Sequence, residues 1–106
     1  MNQIYKRMLD SMQVKESRRH KRIPKDPWIL YILKCKDGTF YTGIAKDVEK
    51  RLQAHNLGKG AKYTRTRRPV SLLYQESCPS RTHALVRECA VKALPRSKKE
   101  SLIYQQ

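Results

Sequence analysis

From Trp28 onward, apolar residues gather in short runs divided by turn and capping signals. Trp28-Ile29-Leu30-Tyr31-Ile32-Leu33 is an unbroken apolar, aromatic and β-branched run, which reads as a strand buried on both faces. Asp37-Gly38 supplies a turn, and Thr39-Phe40-Tyr41-Thr42 is the returning strand. Asp47 suits the N-cap of a helix running to Leu57, with Gly58 as its stop. Gly58 to Arg68 is a basic loop with room for one helical turn. Pro69-Val70-Ser71-Leu72-Leu73-Tyr74 follows as a third strand, Pro69 opening it where no ladder donor is needed. Ser80 can cap a helix ending near Leu94, and Ser97-Lys98-Lys99-Glu100 matches a capping box opening a last short helix. The order β-β-α-β-α-α implies an α+β domain, a small three-stranded antiparallel sheet flanked by helices.

The stretch before Trp28 has a different character. Ile4, Met8 and Met12 recur at helical spacing with Tyr5 and Leu9 alongside, which fits a short amphipathic helix. Ser17-Arg18-Arg19-His20-Lys21-Arg22 then leads to Pro24 and Pro27, which cannot continue it. The expected organisation is a basic N-terminal arm over 1–27, partly helical or disordered, and one domain over 28–106. Such an arm serves either as a solvated tail or as an extra contact to phosphates.

Charge sharpens the picture. The 106 residues carry 24 Lys+Arg against 9 Asp+Glu, a formal net charge of +15. The arm holds 8 basic and 3 acidic residues, so most of the excess lies in the domain itself. Self-repulsion at that charge is relieved by a polyanion, which makes nucleic acid, DNA or RNA, the expected partner. No apolar run approaches the length of a membrane span, so no membrane is expected, and the N-terminus lacks a signal-type apolar region. Cys35, Cys78 and Cys89 are an odd, scattered set without a CxxC, which fits a reducing cytosol rather than a disulfide framework. A zinc site from Cys78, His83 and Cys89 lacks ligand spacing and is set aside.

Four features carry candidate chemistry. Tyr31 and Tyr41 lie on the two strands of one hairpin, and their facing depends on the turn. A two-residue Asp37-Gly38 loop puts them on opposite faces. A three-residue Lys36-Asp37-Gly38 loop with Gly38 left-handed puts both on one face, with Tyr31 opposite Gly43 and open space beside it. Arg51 and His55 are i and i+4 on one helix, a guanidinium beside an imidazole, suited to phosphate charge and proton handling. Glu88 sits three or four residues from Ala84, Leu85 and Val91, on or beside an apolar stripe, where a carboxylate needs a partner or a cation. The loop carries Lys59, Lys62, Arg65, Arg67 and Arg68 with Tyr63 interleaved, a combination suited to a phosphate backbone and to stacking on an unpaired base. No recognition helix or base-reading pattern is visible, so no sequence preference is expected.

In their order and spacing these residues resemble the GIY-YIG nuclease family, in particular its small standalone bacterial members. Ile29-Leu30-Tyr31 stands at the first motif, Tyr41-Thr42-Gly43 at the second, and Arg51 and His55 at the helix positions that follow. Asn56 to Arg65 is similar to the signature of the standalone members, and the likeness runs from Trp28 to about Tyr104. The resemblance implies a Mg²⁺- or Mn²⁺-dependent endonuclease acting on DNA, single-stranded or branched, in repair or recombination, as a monomer or weak dimer with room for a protein partner. It implies that Glu88 holds the ion, Tyr31 acts as general base with Tyr41 supporting it, Arg51 steadies phosphoryl charge, and His55 assists proton transfer. It departs from the family in having Ile29 for glycine in the first motif, and in lacking a late asparagine near the site. The alternative is a non-catalytic nucleic-acid-binding module on the same fold.

Overall fold

The computed structural model describes residues 27–105. The expected arm, except Pro27, lies outside them. The elements are β1 (Trp28–Lys34), β2 (Phe40–Ala45), α1 (Val48–Asn56), α2 (Lys62–Arg65), β3 (Ser71–Cys78), α3 (Arg81–Lys92) and α4 (Arg96–Tyr104). The sheet is antiparallel, in the order β2-β1-β3.

The β1–β2 turn resolves the open question of facing. The Cys35 N–H donates to Thr39 O at 2.8 Å and Gly38 takes φ +86°. The loop is therefore Lys36-Asp37-Gly38, and a left-handed glycine is what such a turn requires. Tyr31 then pairs with Gly43, and Tyr31 and Tyr41 share a face.

β1 is central and buried on both sides, as its unbroken apolar run implies. Leu30 and Ile32 face α3 and α4, packing with Ala84, Val91 and Ile103. Tyr31 and Leu33 face the other way, toward Val48 of α1 and Val70. The sheet is thus sandwiched between helices, and burying each such aliphatic side chain contributes about 1.5–3 kcal/mol. A bulge in β3 opposite Ile32/Leu33 lets Leu73 and Tyr74, though consecutive, pack against the same core.

Caps fix the helix starts. Asp47 accepts from the Lys50 N–H at 3.1 Å, and Ser80 from the His83 N–H at 3.2 Å. α4 differs from expectation. Pro95 occupies its N-cap without a side-chain bond, Ser97 lies inside the helix, and Glu100 pairs with Arg96 at 3.2 Å instead of reaching back to a cap. Proline cannot continue a helix through its own N–H, and with Pro95 extended at ψ 160° the helix begins directly after it, at Arg96, ahead of the capping box. The strands also shift. β2 runs on to Ala45, and β3 begins at Ser71, after a cis Arg68–Pro69 bond, and continues to Cys78.

Candidate active site

The face shared by Tyr31 and Tyr41 is where α1 packs, and α1 delivers Arg51 and His55 to it. Tyr31 is 1% exposed and its hydroxyl lies 3.0 Å from His55 Nε2. The Arg51 guanidinium lies beside the same hydroxyl, where its charge and its N–H groups favour a phenolate. The Tyr31 and Tyr41 rings are 6.4 Å apart, and Tyr41 meets the His55 ring edge-on at 5.1 Å. Gly43 makes this possible, since a Cβ there would fall 2.6 Å from the Tyr31 hydroxyl. The space beside Tyr31 is real, and the phenol fills it.

Electrostatics follow from this packing. Burial pushes the Tyr31 hydroxyl above its ordinary pKa; the neighbouring Arg51 guanidinium opposes the rise, while negative charge at Tyr41 and Glu88 adds to it. Burial and the neighbouring Arg51 charge hold His55 below the usual imidazole value, so it is neutral at pH 7.

His55 is itself fully buried, and the basic loop closes over it. Gly58, at φ +80°, ends α1, and Gly60 brings the backbone against the imidazole, where a Cβ would fall 2.3 Å from Nδ1. α2 then places buried Thr64 Oγ1 2.7 Å from Nδ1. Neither Gly60 nor Thr64 stood out in the sequence. Their signal was two glycines one residue apart just after a candidate histidine.

The loop's cations divide into two groups. Arg67 is tied to Asp37 at 3.0 Å and to Tyr63 O at 2.8 Å, and Arg68 to Arg65 O at 2.9 Å and Asn56 O at 3.3 Å. Those two lock the loop to the hairpin and to α1. Lys59, Lys62 and Arg65 are exposed and make no ion pair among the described residues. The Tyr63 ring, expected as a base platform, is already engaged, stacked with Tyr41 at 6.0 Å with Arg67 over it at 3.9 Å.

Glu88 comes from α3, which packs on β1 and β2 from the opposite face. Its side chain is 18% exposed and pairs with Lys92 at 3.3 Å, and its charge reaches Tyr31. Arg87 turns away to Glu76 at 2.6 Å. Among the described residues no group of three His, Cys, Asp or Glu could form a metal cage. One partly exposed carboxylate fits Mg²⁺, which keeps waters and completes its shell with substrate phosphate; it does not fit zinc. No described helix is long and apolar enough to cross a membrane.

Residues 27–101 match the model of the GIY-YIG catalytic domain. The chain is 55% identical over 78 residues to a UPF0213 protein of Staphylococcus saprophyticus, covering 74% of this chain and 95% of that one. It is 53% identical, over the same shares, to a UPF0213 protein of Staphylococcus aureus. Among solved structures, the UPF0213 protein from Bacillus halodurans matches at 46% identity and TM-score 0.51, over 76% of this chain and 85% of that one. A protein from E. faecalis matches at 41% identity and TM-score 0.55, over 79% and 90%.

Proposed function

The chain belongs to the GIY-YIG family, and from that premise we propose that it is an endonuclease hydrolysing phosphodiester bonds in DNA with one Mg²⁺ or Mn²⁺. The observation that carries the reading is the buried Tyr31 hydroxyl held between Arg51 and a neutral His55. A tyrosine with a raised pKa is a poor base alone. A neutral imidazole at 3.0 Å supplies what it lacks, because Nε2 can take the phenol proton while the phenol oxygen takes one from water. The water becomes the attacking hydroxide, and His55 ends as imidazolium.

Arg51 links this relay to the substrate. Its guanidinium lies beside the Tyr31 hydroxyl, and a phosphate's non-bridging oxygens compete for the same N–H groups. The Tyr31 lone pair that faces Arg51 is the one that accepts the water proton once the guanidinium turns to the phosphate. The same contact neutralises charge growing on the phosphoryl oxygens. Glu88 would hold the ion, which when bound supplies charge neutralisation at the phosphate and leaving oxygen. Lys59, Lys62 and Arg65 hold the backbone of the nucleic acid.

The test is cleavage of labelled single-stranded, duplex and branched DNA with and without Mg²⁺, beside Glu88→Ala. Cutting that needs the ion and is lost in Glu88→Ala, with DNA binding retained, is the expected result. Tight, salt-sensitive binding without cutting on every substrate would replace the nuclease with a binding module.

A further inference from the structure

We propose that Thr64 is a positioning residue, one whose hydroxyl fixes His55 in the Nδ1–H tautomer and so aims the Nε2 lone pair at Tyr31. The catalytic consequence rests on the nuclease reading; the tautomer does not.

The argument is a count of protons along a line of buried groups. Thr64 Oγ1 donates to Ala61 O at 3.0 Å, which uses its only proton. Toward His55 Nδ1, 2.7 Å away, it is then an acceptor, so Nδ1 carries the hydrogen. Nε2 is left with a lone pair, and the Tyr31 O–H is the donor that meets it at 3.0 Å. At the far end the Arg51 guanidinium beside the Tyr31 oxygen has only donors to offer, so the phenol proton has His55 as its acceptor. Every donor is used once and all the bonds run the same way. The Ala61 N–H also points at Nδ1, a long bond with the nitrogens 3.5 Å apart that on its own favours the other tautomer, but the 2.7 Å contact to Thr64 outweighs it.

Thr64 and His55 are both 0% exposed, so no water replaces the threonine hydroxyl if it is removed. The other tautomer would turn an N–H toward Tyr31 and leave the phenol proton without an acceptor. That form binds substrate as well but cannot take the proton. A neutral hydroxyl here does what a carboxylate does in hydrolase triads, without adding charge to the imidazole.

The decisive experiment is a long-range ¹H–¹⁵N spectrum of His55 in the ¹⁵N-labelled full chain at neutral pH, which distinguishes the tautomers without reference to activity. The Nδ1–H pattern is expected in the wild type and in Thr64→Ser, and a mixed or Nε2–H pattern in Thr64→Val, which matches threonine in shape. Cleavage kinetics should give Thr64→Val a kcat lower by about 10- to 100-fold at unchanged KM, the size of loss known when a metal-bound histidine loses its orienting partner, with Thr64→Ser close to wild type. An Nε2–H wild type would overturn the proposal, as would a Thr64→Val protein with the wild-type tautomer. A wild type that shows Nδ1–H but cuts nothing would uphold the tautomer assignment and count against the nuclease reading alone.

Discussion

Gly43→Ala probes the site with a single methyl group. The added Cβ would lie 2.6 Å from the Tyr31 hydroxyl and 2.7 Å from its Cζ, against about 3.4 Å for the closest ordinary contact. The phenol must move by roughly 0.8 Å, and it is the rigid end of a 1%-exposed ring with His55 and Tyr41 packed around it. Overpacking of this kind costs about 1–3 kcal/mol, and each kcal/mol lowers Tm by about 4–8 °C in a domain of this size. Catalysis should suffer more than stability, because a shift near 1 Å in a reacting group costs about 100-fold. The assay pairs thermal unfolding with cleavage under single-turnover conditions, at a temperature where the variant is fully folded. A modest drop in Tm with cleavage down about 100-fold is expected. A variant that cuts at the wild-type rate would refute the placement of Tyr31 as the base, whatever its Tm.

Further outcomes follow from the charges. His55 titrates below its ordinary 6.5 in the folded chain, so between those two values the unfolded chain binds more protons. Stability and cleavage should therefore both fall as pH drops below about 6.5, because a protonated Nε2 cannot accept from Tyr31; a rate profile whose acid limb centres above 6.5 would exclude His55 as the acceptor. Replacing Lys59, Lys62 and Arg65 together by Gln should reduce the salt slope of DNA binding by about 2.7 on duplex or about 2.1 on single strands. Arg67→Gln should change that slope far less and lower Tm instead, since its guanidinium is spent on Asp37 and Tyr63; the reverse ranking in a salt titration would undo the division of the loop's cations.

The sheet and three of the four helices were legible because their signals were local: an apolar run, Asp47 and Ser80 caps, and glycines at 38 and 58 that take positive φ. Tyr31, Arg51 and His55 were legible by spacing once the turn put both tyrosines on one face. What the sequence hid were contacts between segments. Thr64 reads as one more polar residue in a basic loop, and only the fold brings it to His55. Tyr63 reads as a free aromatic until Tyr41 and Arg67 are seen against it. The capping box at Ser97 failed because the helix begins earlier, at Arg96 directly after Pro95, which leaves Ser97 inside it.

The buried line from Tyr31 through His55 to Thr64 argues for proton chemistry over binding alone. Each of its polar groups would cost about 1–3 kcal/mol if left unpaired in the interior, and each is paired within the line and its flanking Arg51 and Ala61 contacts. A binding module of this charge needs only the outward cations, and aliphatic side chains of similar size would fill the same space without that exposure to error. The loop that would hold the DNA backbone also closes on the imidazole through Gly60 and Thr64. Contact with phosphate at Lys59, Lys62 and Arg65 would therefore be made by the same short segment that closes on His55. A substitution that loosens this segment should lower affinity and turnover together, whereas one at Thr64 should lower turnover alone.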